Sequence, residues 1–238
     1  MFKLETIHYI TEGLWQAIIL IATLDPQIYE IVGLTLFCSL ASTLIGALFA
    51  LPTGFLIGSY EFRGKNSLVT IFSTLMALPT TVVGLFGYAF LSRSGPLGFL
   101  SLLFTPTAII MGETILCFPI ITAFAISTTQ GVNPLVRQTA LTLGASPFQA
   151  SMAVFFEGRI GYLVCVAAGF ARVIAEVGSA MMLGGNIKGH TRTLTTAIAL
   201  ETGKGEFSLG MALGIVLLIL ALAVNIPIQR LKRIGGRP

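Results

Sequence analysis

The sequence predicts an all-α fold, a polytopic bundle of membrane-spanning helices, and three observations support this prediction. Only 10% of its 238 residues are charged, whereas soluble domains carry about 25%. The chain is 55% apolar, with a mean hydropathy of +0.90, and a soluble globule of this size cannot bury so much apolar surface. The third observation is a set of five long apolar stretches. Ordinary cytosolic, disordered and disulfide-stapled secreted proteins are excluded.

Each of the five stretches is long enough to cross a bilayer, which requires about 20 residues. All five are predicted to be helices, because lipid cannot satisfy backbone polar groups. Pro52 is expected to bend the first, and Pro79 and Pro119 to kink the second and third. The approximate bounds are Ile28–Gly58, Leu68–Leu91, Pro106–Ser127, Ile160–Leu183 and Phe207–Ile228.

The N-terminal segment is predicted to be an amphipathic helix lying in the membrane interface. Its uninterrupted apolar run, Ala17–Leu24, is too short to span, although a sixth span is the alternative. Trp15 is expected at headgroup level. The pattern of a cleavable signal peptide is lacking, so none is expected. Apolar residues recur at helical spacing at Ile7, Ile10, Leu14, Ile18 and Ile21, and Glu12 and Gln16 fall elsewhere on the helix.

Basic residues predict the orientation, since cytoplasmic loops of membrane proteins are enriched in Lys and Arg. Alternating the five spans places eight basic residues on the side assigned to the cytoplasm: Arg63, Lys65, Arg137, Arg159, Arg230, Lys232, Arg233 and Arg237. Five fall on the other side: Lys3, Arg93, Lys188, Arg192 and Lys204. We therefore expect a multi-pass membrane protein with its N-terminus outside and its C-terminus in the cytoplasm.

The connection between the third and fourth spans is predicted to form two short cytoplasmic helices, Pro134–Leu143 and Pro147–Glu157, hinged at Gly144. Asn133 and Ser146 each precede a proline, which is a start signal for a helix. A narrow apolar stripe on the first helix either packs against the protein's own bundle or docks another protein. The stripe consists of Leu135, Val136, Ala140 and Leu143.

The run Gln138–Phe156 resembles the cytoplasmic coupling motif of ABC importer permeases. Ala140 and Gly144 match that motif. Gln138-Thr139 replaces its Glu-Ala, and Phe156-Glu157 replaces its Leu-Pro ending. The resemblance implies contact with an ATPase through Gln138, Thr139, Ala140, Leu143, Gly144, Ala145, Ser146 and Glu157.

The stretch Ala171–Thr202 resembles the corresponding segment of the sulfate, molybdate and tungstate permeases, and is most similar to the tungstate type. The matching motifs are Glu176–Ser179, Gly185–Ile187 and Thr191–Leu194. The resemblance implies a type I ABC importer permease fold, with a single transmembrane domain over residues 1–238 and coupling helices within residues 130–158.

The same resemblance implies an oxyanion importer of a prokaryotic inner membrane, with tungstate as the first substrate and molybdate or sulfate as alternatives, that works by alternating access. The implied partners are a second copy of the chain, two cytoplasmic ATPase subunits and an extracytoplasmic oxyanion-binding protein. Gly184 and Gly189 have phosphate-loop spacing, but His190 replaces the lysine that such a loop needs. ATP hydrolysis is therefore assigned to a partner. We expect no cofactor, metal or nucleic acid, and contact with membrane lipid.

Charged residues within the spans mark a candidate path or gate, because a charge at the bilayer centre costs about 2.5–3.5 kcal/mol. Arg172 and Glu176 are four residues apart and are predicted to share one helix face. They either orient two helices or line the passage. Glu113 is compatible with a contact to Arg172, with protonation or with a water-facing position. The predicted path residues are Arg172, Glu176, Gly178, Ser179, Asn186, Thr191 and Thr193.

The loop Gly184–Glu206 is basic although it is predicted to lie outside, which suits an anion entrance. Its threonines either donate hydrogen bonds to an oxyanion or cap a short helix. The sequence leaves two other functions as alternatives. An ion-driven transporter would use Glu113 or Glu176 as the titrating group, but the internal repeat typical of that class is not found. A membrane scaffold would leave the charges within the spans without a role.

Overall fold

The fold is all-α, in agreement with the prediction. A computed structural model of the protein describes residues 26–235, together with Thr11, Glu12, Trp15, Ile18 and Ile19. These five positions are helical, and the rest of the predicted interfacial helix lies outside the described residues. The helices of residues 26–235 are α1 (Pro26–Ser59), α2 (Lys65–Leu75), α3 (Thr80–Leu91), α4 (Pro106–Gly131), α5 (Pro134–Thr142), α6 (Pro147–Glu157), α7 (Arg159–Ile174), α8 (Gly178–Gly184), α9 (Leu194–Gly203) and α10 (Phe207–Gly235), with a 3₁₀ turn at Gly98–Leu100.

Three helices in the described part of the chain are long and apolar enough to cross a membrane alone: Ile28–Ser59, Pro106–Gly131 and Phe207–Ile226. The pairs α2–α3 and α6–α7 each meet the same test when taken together, which brings the total to as many as five. Pro52 and Pro119 lie within unbroken helices. Pro79 instead precedes α3 after a four-residue break, so the second predicted span is two helices.

The fourth predicted span, Ile160–Leu183, is wrong as a single helix. Helix α7 ends at Ile174 and α8 begins at Gly178, so Glu176 lies in the non-helical segment 175–177 and not on a helix face shared with Arg172. The hydroxyl of Thr195 donates a hydrogen bond of 2.6 Å to the carbonyl of Glu176. A distant side chain thus supplies a partner at the break, where the helix no longer satisfies every backbone group.

The chain divides into two compact units. In the described part, the first holds residues 26–42, 79–113 and 173–224, and the second holds residues 43–78, 114–172 and 225–235. In the first unit α3 packs closely against α8. A Cβ atom added to Gly84 would lie 3.1 Å from the Cα of Ser179, and one added to Gly87 would lie 2.9 Å from Leu183. Leu183 also packs with Leu91 and Ala108 in the buried core of this unit.

The second unit is built on close packing of α1 against α4. A stripe of small residues at every fourth position of α1, from Gly46 through Ala50 and Gly54 to Gly58, makes this possible. Added Cβ atoms at the three glycines would each lie 2.5 Å from an α4 side chain: Cys117 Sγ, Ala125 Cβ and Thr129 Cβ. Only a hydrogen atom fits at these three positions.

Gly54→Ala is expected to lower the thermal unfolding midpoint in detergent by several degrees. The new methyl group would lie 2.5 Å from Ala125 Cβ and 2.7 Å from the Thr122 carbonyl, and overpacking costs about 1–3 kcal/mol. Gly33→Ala is the matched control on the same helix, because its methyl group would meet nothing within 4 Å. Equal midpoints for the two variants would contradict the packing.

Candidate functional site

The predicted coupling residues lie in the second unit, on the α5–α6 segment (residues 133–157), and local hydrogen bonds define both helix starts. The Asn133 side chain accepts a hydrogen bond of 3.0 Å from the Leu135 amide. At α6 the Ser146 hydroxyl accepts from the Gln149 amide at 3.3 Å, and the Gln149 side chain accepts from the Ser146 amide at 2.8 Å. This reciprocal capping box confirms the predicted start of the second helix.

Gly144 connects the two helices in a conformation that favours glycine. Its φ of +88° is in the left-handed region, which side chains with a Cβ atom rarely adopt. Helix α5 ends at Thr142, one residue before the predicted end. The predicted pair of helices is otherwise confirmed. Gly144 therefore sets the angle at which α6 follows α5.

Large apolar side chains on this segment are exposed. The exposed fraction is 61% for Leu135, 82% for Leu143 and 73% for Phe148. Exposed apolar side chains that lie on one segment commonly mark a site of interaction with another protein or with the membrane. Among the predicted coupling residues, Ala140 and Ala145 are half-buried, and the exposed ones are Gln138, Thr139, Leu143, Gly144, Ser146 and Glu157.

Most predicted path residues lie in the first unit, where Glu176 is the central one. Its side chain is almost fully buried, and Oε1 accepts a hydrogen bond of 3.0 Å from the Ser179 amide, in the first turn of α8. A Cβ atom added to Gly178 would lie 2.8 Å from the Thr80 hydroxyl. The break after α7 therefore brings Glu176, Gly178 and Ser179 together beside the start of α3. Arg172, which belongs to the second unit, is half-buried.

Ser179 has an unusual hydroxyl group. The residue is buried, and its Oγ atom has no hydrogen-bond partner in the described part of the chain. Buried hydroxyl groups almost always have a partner in the protein or in ordered water. The Ser179 hydroxyl is therefore available to a water molecule or a passing solute.

Two of the three predicted residues of the 185–193 loop, Thr191 and Thr193, have structural partners. The Thr191 hydroxyl donates to the Gly184 carbonyl at 2.5 Å and accepts from the Ile187 amide at 3.0 Å. Thr193 caps α9 through a capping box with Thr196. Asn186 adopts a left-handed φ of +52°, and its buried Oδ1 atom has no hydrogen-bond partner in the described part of the chain. These residues shape the loop, and both threonine hydroxyls are already bonded to protein atoms.

Glu113 lies in the same unit and is buried. The Ser42 hydroxyl donates a hydrogen bond of 2.9 Å to its Oε2 atom. The water-facing position that the sequence left open is therefore excluded. Sequence reasoning missed this pair, although Ser42 occupies the same stripe of α1 as Gly46 and Gly54.

The cysteines and histidines have no metal-binding arrangement in the described residues. Cys38, Cys117 and Cys165 are buried, and none of the three forms a disulfide. His190 is exposed on its loop. No group of three or more potential metal ligands occurs among the residues that the structure describes.

Sequence comparisons place the chain among anion transport proteins, although no family model matches it. It is 38% identical over 225 residues to the tungstate uptake system permease protein TupB of Peptoclostridium acidaminophilum, covering 94% of this chain and 99% of the relative. The Campylobacter jejuni protein of the same name is 39% identical, with 95% of each chain covered. A probable anion ABC transporter permease protein of Haloferax volcanii is 40% identical, with 82% of this chain and 87% of the relative covered.

Solved structures confirm the fold. A chain of the inward-facing MetNI methionine ABC transporter matches with a TM-score of 0.70 at 17% identity, covering 90% of this chain and 99% of that one. A chain of a bacterial alginate ABC transporter matches with a TM-score of 0.68, also at 17% identity, covering 89% of this chain and 81% of that one. The chain belongs to the family of ABC transporter permeases that includes the tungstate uptake permeases, and it is a multi-pass transporter subunit rather than an enzyme.

Proposed function

We propose that this permease is the membrane-spanning subunit of an ATP-driven importer for tungstate. The observation that carries the proposal is the match to two tungstate uptake permeases over 94% and 95% of the chain. Molybdate and sulfate are the alternative substrates. Each alternative rests on relatives of lower identity. The molybdate/tungstate permease of Pyrococcus furiosus is 28% identical, and the sulfate permease of a Synechocystis species is 25% identical.

The proposed orientation has the N-terminus outside and the basic C-terminal tail in the cytoplasm. It is supported by the distribution of Lys and Arg, which are more numerous on the assigned cytoplasmic side. This orientation places the α5–α6 segment in the cytoplasm and the basic 184–206 loop outside, where positive potential attracts anions.

The proposed ATPase contact is the exposed surface of the α5–α6 segment. Leu135, Leu143 and Phe148 supply apolar side chains that a partner would cover. Gly144 would determine how the surface is presented, because it sets the angle between the helices. The proposed coupling residues are Gln138, Thr139, Ala140, Leu143, Gly144, Ala145, Ser146 and Glu157.

The proposed path or gate is centred on the break after α7. Arg172 and Glu176 flank the end of α7, and ionisable residues within spans commonly line transport pathways. Ser179 offers a hydroxyl group without a protein partner in the described residues. Gly178 permits the close packing at this point, and Asn186, Thr191 and Thr193 would hold the loop that follows α8.

The proposed assembly is a homodimer with two cytoplasmic ATPase subunits and an external oxyanion-binding protein. As many as five spans per chain leave little interior for a private channel, whereas two copies can enclose a passage on a shared axis. Closure of the ATPases would move the α5–α6 segments and switch the passage between its outward and inward openings. Membrane lipid surrounds the dimer, and no nucleic acid takes part.

Reconstitution tests the function directly. Vesicles holding the permease, its ATPase and its binding protein are expected to accumulate labelled tungstate only when ATP is supplied, with tungstate a stronger competitor than molybdate or sulfate. Vesicles with the permease alone are the control. Uptake by that control, abolished by an uncoupler, would instead establish an ion-driven transporter.

A further inference from the structure

We propose that a cavity in the second unit, beside the α5–α6 segment, is a binding site for a small tetrahedral oxyanion. The cavity has a volume of 480 Å³ and lies among the end of α1, the start of α2, the α4–α5 connection and α6. Its polar lining residues include Ser59, Glu61, Lys65, Asn133, Arg137 and Ser151. The proposed translocation path contains none of these residues.

The charge of the lining favours an anion. Lys65 and Arg137 are its two cations, and Glu61 is its single carboxylate. Lys65 is only 7% exposed, whereas the Glu61 side chain is 88% exposed. The lysine therefore presents its charge from a sheltered position, whereas the Glu61 carboxylate is exposed to water, which weakens the ion pair between them.

Hydrogen-bond donors remain available in the cavity. The Lys65 ammonium group donates to the Gly58 carbonyl at 3.3 Å and to Glu61 Oε1 at 2.6 Å, which uses two of its three N–H groups. The Asn133 side-chain oxygen is the cap acceptor of α5, so its NH₂ group is left to donate. The Ser59 hydroxyl is buried without a hydrogen-bond partner in the described residues.

This set of donors suits an oxyanion better than a nucleotide. A lysine, an arginine, an amide and a hydroxyl can together donate to several oxygens of one anion. A nucleotide base would need an aromatic or broad apolar wall, and no aromatic residue lines this cavity. Tungstate and inorganic phosphate share the required chemistry. The cytoplasmic location of the site rests on the proposed function, whereas its anion-binding chemistry does not.

The site would connect the α5–α6 segment to the α1–α2 turn. An anion bonded to Arg137 on α5 and to Lys65 on α2 would link these two helices. Glu61 would compete with that anion, because both bind the Lys65 ammonium group. Removal of the arginine and removal of the carboxylate should therefore change affinity in opposite directions.

Equilibrium dialysis of the purified full-length permease in detergent, with tungstate and separately with phosphate, tests the site. Arg137→Gln is expected to weaken binding about tenfold, the effect of losing one charge-assisted hydrogen bond. Glu61→Gln is expected to tighten binding about two- to fivefold, because the ion pair that it removes is solvent-exposed. Arg63→Gln, an exposed neighbouring cation outside the lining, is the matched control and should leave affinity unchanged.

The two variants are expected to change affinity in opposite directions, which separates a binding effect from a folding defect. A misfolded protein would lose affinity in both variants. Opposite shifts for either anion support the site, and the tighter of the two identifies the ligand. No binding, or binding that neither Arg137→Gln nor Glu61→Gln alters, would overturn it. The assay needs no ATP and no partner, so its failure is distinct from a failure of ATP-driven uptake.

Discussion

Gly144→Val is expected to reduce ATP-driven uptake at least tenfold while the transporter continues to hydrolyse ATP. A β-branched residue is disfavoured at the φ of +88° that Gly144 adopts, and the left-handed conformation costs about 1–2 kcal/mol for residues with a Cβ atom. The added Cβ atom would meet nothing within 4 Å. The effect would therefore come from a changed angle between α5 and α6 and not from a local clash. Uptake and ATP hydrolysis are measured on the same reconstituted vesicles.

Gly205→Val is the matched control for this prediction. Gly205 has a φ of +87° and, like Gly144, open space around its added Cβ atom, but it lies in the turn between α9 and α10. Gly144→Asn should retain more coupling than Gly144→Val, since asparagine tolerates the left-handed region. Wild-type coupling in Gly144→Val would contradict the role of this segment in ATPase docking.

Glu176→Gln and Arg172→Ala are expected to lower the initial rate of uptake at least tenfold while membrane insertion stays intact. Glutamine retains an oxygen that can accept the 3.0 Å hydrogen bond from the Ser179 amide, so the start of α8 should be preserved and only the charge is lost. The measurements are the uptake rate, the amount of protein in the membrane and its elution profile in detergent.

Glu201→Gln provides the control for loss of a buried glutamate in the same unit. Glu201 is 9% exposed and forms an ion pair of 3.0 Å with Lys204, outside the predicted path. Its uptake should remain close to that of the wild type. Unchanged uptake in both Glu176→Gln and Arg172→Ala would rule out a path or gate role. A loss of inserted protein that matches the loss of uptake would also count against it and favour a structural pair.

The local features of the α5–α6 segment could be predicted from the sequence because their causes are local. Asn133 and Ser146 each bond an amide two or three residues away, and Gly144 supplies its own conformational freedom. The same holds for the apolar stretches, since their hydrophobicity is a property of consecutive residues. The apolar stretches and the helix starts of this segment therefore needed no knowledge of packing.

The candidate path could be located from the sequence only in part. The charged and polar residue types were evident from the sequence, but the end of α7 at Ile174 was not. The Thr195 hydroxyl that donates to the Glu176 carbonyl at this break is 19 residues further along the chain. Likewise, Ser42 and Glu113 are 71 residues apart. No helical periodicity indicates such partners.

The sequence by itself determined that this protein is a helical membrane bundle with a capped, glycine-hinged connection, because hydrophobicity and helix caps act over a few residues. Only the tertiary structure decided that the fourth apolar stretch is broken at Glu176, and that Lys65 is buried in a polar cavity. Both features depend on residues that are distant in the chain. Thr195 donates a hydrogen bond to the backbone where the helix is broken, and residues of other helices surround the Lys65 side chain. Only the folded arrangement brings those groups together.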